Sequence, residues 1–507
     1  MNALLNSMKN VSNYTRTENG ALTHKTTKSD LLDMFAMGAA MRTRSDEDVI
    51  LMFKKAFEEN PSYALKCLFY IRDVRGGQGE RRFFRVCMKW LASTHTEAAR
   101  RNLKYIPEFG RWDDLYVFEG TKLHYDAFDL MKEQFMLDLN CKTPSLLAKW
   151  LKSENASSYE SRRLGEVTAK HFGLTHKQYR KSLATLRTRI NIVEKLMSEN
   201  RWDEIEFDKI PSKAGIIYKN AFARRDMIKA KYEKFAKDEN TKVNAGTLYP
   251  YEVVEKAINL MGSNRWYSRN AVGLNNTDRL MINKYWANLT DYFNGSNLNA
   301  LVMADTSGSM SGTPINVATS LALYTAEKAG GPFANHYISF SSRPQLIECE
   351  GVDFCDKVDR IVRTNLCENT NIEAAFDMLL NTAIKNHLSQ DDMPDTIIVV
   401  SDMEFDQGTR IGYRGYSYSY NSNSYTTAAD TLMESIAKRW KQMGYEMPHL
   451  IYWNVNARQN NIPMLGNGRI SYVSGFSPSI FQTIVTGKTG FQLMMEVLDG
   501  DRYSVIC

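Results

Sequence analysis

The chain has 507 residues, 43% hydrophobic and 24% charged, with a formal net charge of +6. That length exceeds one ordinary core and predicts two to four domains, and the composition is that of a soluble globular protein. No apolar run approaches the roughly 20 residues that span a bilayer, and Met1 to Lys25 is polar, unlike a secretory leader, so no membrane partner is expected and a cytoplasmic location is.

The seven cysteines are odd in number and form no Cys-x-x-Cys pair, which argues against a disulfide framework and a zinc ribbon. Charge is unevenly spread. From Asn297 onward there are 15 Lys/Arg against 22 Asp/Glu; subtracting from the totals of 64 and 58 leaves 49 against 36 before it, about +13 against −7. A basic half suits a polyanion and an acidic half suits a metal ion.

In chain order, residues 1–27 are rich in Asn, Thr and Ser and read as a polar arm. From Lys28 apolar residues recur at helical spacing: Leu31, Leu32, Met34 and Phe35, then Val49, Met52, Phe53 and Ala56, then Leu65, Leu68 and Phe69. Caps and breakers at Ser45-Asp46, Asn60-Pro61 and Gly76-Gly77-Gln78-Gly79 separate the helices. No strand signal interrupts them before about Tyr292. Residues 28–296 are therefore expected to form an all-α domain of stacked helix pairs, although no fixed-period repeat is evident.

Within that stretch, Ser161 to Asn200 carries nine Lys/Arg against three Glu. On a helix expected from about His176 to Asn200, Lys177, Arg180, Lys181 and Arg187 fall near one face with Tyr179 beside them. Such a stripe can follow phosphates while an aromatic ring stacks on a base; a solvated amphipathic helix is the alternative. Arg75, Arg81 and Arg82 flank the glycine turn and are further candidates, unless they bridge to Asp73 and Glu80. Trp112 is expected as a buried anchor. The glycine turn lacks the Lys-Ser/Thr of a phosphate loop.

After Gly295 short apolar runs alternate with helical ones, among them Ala300 to Ala304, Tyr337 to Phe340, Thr396 to Val400 and Leu450 to Trp453. This alternation predicts, for residues 297–507, an α/β domain with a parallel sheet covered on both faces. Gly412 to Tyr425 is a low-complexity Tyr/Ser stretch read as a surface loop. The run ending at Ala304 leads into Asp305-Thr306-Ser307-Gly308-Ser309, and that ending at Val400 into Ser401-Asp402. A carboxylate and hydroxyls at a strand end offer hard oxygen ligands for Mg²⁺ or Mn²⁺. Thr370 before the helix beginning near Ile372 could supply another hydroxyl, or could cap that helix with Glu373.

Asp305, Ser307, Ser309, Thr370 and Asp402 resemble, in order, the metal-ion-dependent adhesion site of von Willebrand factor A domains. The resemblance implies a Rossmann-like sheet and a cation completing its shell on a protein ligand's acidic residue. Three strings earlier in the chain, Ile71 to Arg81, Gly110 to Leu115, and Tyr179-Arg180-Lys181 with Leu186-Arg187, resemble the TROVE family typified by the Ro autoantigen, and more closely the related DUF2828 family. Helical repeats followed by a von Willebrand A domain is also the Ro order. That resemblance implies HEAT-like repeats that can close into a ring and bind small structured or misfolded RNA.

The resulting expectation is a non-enzymatic, Ro-like RNA-binding protein with an accessory metal domain. A protein-assembly module, such as a viral structural one, is the alternative. A metal-dependent nuclease is disfavoured because no positioned base accompanies the ligand set.

Overall fold

The computed structural model describes residues 12–190, 193–246, 248–262, 275–295, 298–340, 343–364, 369–408, 430–465, 469–484 and 488–507. The chain divides into two compact units: Met1–Tyr63 with Leu248–Gly500, and Ala64–Thr247 with Asp501–Cys507. The first is an α/β unit. The second is helical.

Eight strands occur among the described residues: β1 (Tyr14–Arg16), β2 (Leu22–His24), β3 (Ala300–Asp305), β4 (His336–Phe340), β5 (Gln345–Glu348), β6 (Thr396–Ser401), β7 (His449–Asn454) and β8 (Ile470–Ser474). Six form one sheet in the order β5-β4-β3-β6-β7-β8, parallel throughout except for the antiparallel edge strand β5. Every residue of β3, β7 and β8 is buried. Strands covered on both faces must be apolar almost throughout, which is why Leu301-Val302-Met303-Ala304 and Ile397-Ile398-Val399-Val400 read as continuous runs. The helix Thr313–Lys328 packs on β3, β4 and β6, and the helix Asp30–Met37 packs on β7 and β8.

Two expectations are redrawn. The stretch 28–296 does not form one unit: its first helices and those from Pro250 onward belong with the sheet, because the sheet's faces need more apolar cover than 297–507 alone supplies. Nor is the described part of the arm free. β1 and β2 form a hairpin tied down by the Thr23 hydroxyl and the His24 N–H, both donating to the Ile462 carbonyl at 2.8 and 3.0 Å. Its polar residues bond backbone instead of facing water. The loop 412–425 lies outside the described residues.

The helical unit contains, among others, the helices Arg82–Thr94, His124–Asn140, Tyr159–Phe172, His176–Ile190 and Val193–Ser198. Arg82–Thr94 buries Phe83, Phe84, Cys87, Met88 and Leu91 along one face, the three- and four-residue spacing of an amphipathic helix. The last seven residues return to this unit, where Arg502 and Tyr503 bond the buried Asp73 and the Cys507 N–H donates to Asn102 Oδ1. Among the described residues no helix is long and apolar enough to cross a membrane. Cys67, Cys87, Cys349 and Cys355 are buried free thiols.

Candidate metal centre and basic surface

The parallel register that sets Ala304 of β3 opposite Val400 of β6 brings Asp305 level with Ser401 at the carboxyl edge of the sheet. Asp305 is fully buried. Its Oδ1 accepts the Ser307 N–H at 2.9 Å and its Oδ2 accepts the Ser401 hydroxyl at 2.5 Å. The Ser307 and Ser309 hydroxyls lie 3.1 Å apart, and Ser309 is near enough to Asp402 to favour its ionised form. Asp402, one residue beyond β6 and 1% exposed, holds the Glu404 N–H at 3.1 Å across a turn in which Met403 has φ 66°. Asp305, Ser307, Ser309 and Asp402 are thus gathered in one place.

Thr370 is buried, and its carbonyl accepts the Asp406 N–H at 2.9 Å, which ties it to the loop that follows β6. It does not cap the following helix. Asn371 does so, its Oδ1 accepting the Ala374 N–H, and Glu373 pairs with Arg439 instead.

Burial, and then the charge of Asp402, push Asp305 up to about 7; burial also raises Asp402. Two adjacent carboxylates in a dry setting repel each other, and a divalent cation between them removes that penalty. Among the described residues no group of three or more His, Cys, Asp or Glu side chains is gathered to hold a metal. An ion here therefore relies on hydroxyls and waters beside the two carboxylates, a donor set that fits Mg²⁺ or Mn²⁺ and not a soft metal.

Residues distant in sequence also shape the site. Arg458 reaches Asp402 Oδ2 at 3.1 Å and Glu18 Oε2 at 2.5 Å. Buried Glu404, raised to about 7 by desolvation, accepts the Glu18 N–H and the Asn461 amide, both at 2.7 Å. Thr17 and Asn19 bond the Phe405 and Glu404 carbonyls at 2.6 Å, so the segment from 17 to 19 walls the loop that follows β6. Glu404 stands two residues from Asp402 and was open to notice as a second acid, whereas no local pattern marks Glu18 or Arg458. Because the Arg458 guanidinium competes for Asp402, Arg458→Ala is expected to tighten Mg²⁺ binding about tenfold. Calorimetric titration reads this; unchanged or weaker binding would remove Arg458 from that role.

The basic candidates divide. Lys177, Arg180 and Lys181 are exposed on the helix His176–Ile190. Tyr179 is not a stacking platform: it is fully buried and donates its hydroxyl to the Lys152 carbonyl at 2.8 Å. Arg187 is folded back, donating to the Ala148 and Leu151 carbonyls at 2.8 and 2.9 Å and to the Ser153 hydroxyl at 2.8 Å. A helical wheel places Tyr179 and Arg187 on a face but cannot show the 148–153 segment lying against it. Arg75 and Arg81 are exposed and Arg82 is half-buried; the Arg75 guanidinium donates to the Glu108 carbonyl at 2.6 Å.

The flanking strings prove to be scaffolding. Buried Arg72 donates through Nε and Nη2 to Asp114 Oδ2 at 2.9 and 2.6 Å, and Arg85 bridges Asp114 and Asp113 at 2.7 and 3.0 Å. Any Cβ on Gly77 would sit 2.0 Å from the Tyr70 carbonyl, and one on Gly110 would sit 2.4 Å from Asp114 Oδ2. Both glycines are required by close approach. Within Gly110 to Leu115 the expected anchor Trp112 is only half-buried, whereas Asp113, Asp114 and Leu115 are buried.

A family profile described as a domain of unknown function (DUF2828) matches residues 17–130 and 131–296, and a second, also a domain of unknown function (DUF7788), matches 299–501. An uncharacterized protein of Acanthamoeba polyphaga mimivirus is 27% identical over 540 residues, spanning 96% of this chain and 88% of that protein. Among solved structures, the Ro (RSR) protein of Deinococcus radiodurans is similar with a TM-score of 0.47 and 14% identity, over 94% of this chain and all of that one.

Proposed function

Since the chain belongs to the DUF2828 family, whose description assigns no activity, its role has to be read from its own residues, and we propose that it is a non-enzymatic RNA-binding protein. In this reading HEAT-like repeats of the helical unit hold single-stranded or structured small RNA, as the likeness of its strings to the TROVE family implies. The observation that carries it is the division of charge. The helical unit, Ala64–Thr247 with Asp501–Cys507, has 37 Lys/Arg against 25 Asp/Glu, a net +12; the whole chain's 64 and 58 leave the α/β unit at −6. Exposed cations on the helical unit supply the phosphate contacts that dominate RNA affinity.

The α/β unit is proposed as a von Willebrand A-type domain in which Asp305, Ser307, Ser309, Thr370 and Asp402 hold Mg²⁺, directly or through water. The ion would supply an open coordination position for a carboxylate of a protein partner. Co-purification provides the test. Protein prepared at low salt is expected to carry nucleic acid, seen in its ultraviolet absorbance ratio, and the Arg180→Glu/Lys181→Glu variant is expected to carry much less. Nucleic-acid-free wild-type protein would count against the reading and in favour of an assembly module.

A further inference from the structure

The helical unit contains a cavity of about 540 Å³ between the segment around Lys149 to Asn155 and the helices His176–Ile190 and Val193–Ser198. Its size lies within the range of sites that enclose small ligands. Four cations line it, Lys149, Arg180, Arg187 and Lys195, against the single carboxylate of Glu194. Two of the four are neutralised locally: Lys149 lies 3.7 Å from Glu194, and Lys195 lies 2.7 Å from Glu199.

The two arginines are not. Arg187 donates only to two carbonyls and a hydroxyl, which orient its guanidinium without cancelling its charge. It is half-buried, and the partial loss of water pulls its pKa down. Among the described residues no carboxylate pairs with Arg180 or with Arg187. A desolvated cation without a counter-ion is costly unless an anion completes it. The fixed carbonyl acceptors hold Arg187 in place before any ligand arrives, the arrangement that lowers the entropic cost of binding.

We propose that this cavity is a phosphate-binding site for one nucleotide unit, with Arg187 as the pre-positioned anchor and Arg180 as the exposed clamp. Guanidinium groups match phosphate oxygens in a fork geometry that lysine cannot reproduce. The Ser153 hydroxyl and the Asn155 amide, also in the lining, offer hydrogen bonds to a sugar or base. The inference deepens the RNA-binding reading by naming a place where the strand's phosphate enters, but it stands on the cavity's own charge. The phosphate could belong to an RNA terminus or to a free nucleotide.

Calorimetric titration of the full chain with adenosine 5′-monophosphate, inorganic phosphate and adenosine, beside 5′-phosphorylated and 5′-hydroxyl RNA oligonucleotides, tests it. Adenosine monophosphate and phosphate are expected to bind and adenosine not to. Arg180→Ala, at an exposed position, is expected to keep the wild-type melting temperature and to lose about tenfold in affinity. Arg187→Lys, which keeps the charge but not the fork, is expected to lose a similar factor. A free nucleotide as the source is indicated if adenosine monophosphate binds and the 5′-phosphate adds nothing to RNA affinity. Adenosine binding as well as its monophosphate, or a folded Arg180→Ala variant with wild-type affinity for the monophosphate, overturns the site. If RNA binds undiminished to that variant, the RNA reading survives and the cavity is not its site; if the monophosphate binds and RNA does not, the cavity stands and the RNA reading falls.

Discussion

Asp114→Ala is expected to destabilise the helical unit by about 3–5 kcal/mol, the usual cost of stranding one member of a buried ion pair. Arg72 is 1% exposed and Asp114 fully buried. Removing the carboxylate takes the shared Oδ2 acceptor from both donors of the Arg72 fork, frees Arg85 Nε and deprives the Arg111 N–H of its 3.0 Å partner. Alanine also leaves a hole beside Gly110, where the backbone has already approached as closely as a missing Cβ allows. Urea denaturation followed by circular dichroism measures the effect. A loss below about 1 kcal/mol would place the network on the surface in solution, where ion pairs contribute little.

Mg²⁺ is expected to stabilise the α/β unit by about 2.7 kcal/mol at a hundredfold excess over its dissociation constant, and Asp305→Asn is expected to abolish that gain. The sign of the pH dependence follows from burial. Asp305, pushed up to about 7, binds a proton more tightly in the folded chain than in the unfolded one. Without metal its contribution is most favourable below the ordinary carboxylate range and is lost as pH rises through 7. Metal binding needs the ionised carboxylate, so the Mg²⁺ gain should be larger at about pH 8 than at about pH 6. At the higher pH the two proteins should exchange order: Asp305→Asn equal to or above wild type without Mg²⁺, and below it with Mg²⁺. Thermal melts with and without the ion read this. A wild-type melting temperature indifferent to Mg²⁺ and Mn²⁺ would dismiss the metal centre.

Strands β3 and β6 were legible because burial on both faces demands apolar residues almost throughout, and the acid that follows each run marks where a sheet edge meets a loop. The four gathered site residues belong to just two such edges, so their proximity followed from topology. What escaped came from long range. Arg458 reaches Asp402 across 56 positions and Glu18 reaches Glu404 across 386. The Asn-, Thr- and Ser-rich start of the chain gave no hint that Thr17 and Asn19 would bond the loop that follows β6, because polar composition marks solvent and backbone bonding alike. Tyr179 and Arg187 were visible as neighbours on one helix, yet their roles depended on the carbonyls of 148–153. Similarly, Asp73 was read beside Arg75, whereas its guanidinium partner is Arg502, 429 positions away.

The claim that the basic helical unit holds RNA is tested most directly by fluorescence anisotropy of a labelled single-stranded RNA at about 50 mM and about 200 mM salt. The expected result is sub-micromolar binding at the lower salt and at least tenfold weaker binding at the higher, with Arg180→Glu/Lys181→Glu lowering the log–log salt slope by about 1.4, two phosphate contacts' worth on a single strand. Binding weaker than micromolar at the lower salt, or an affinity that salt does not change, would contradict it.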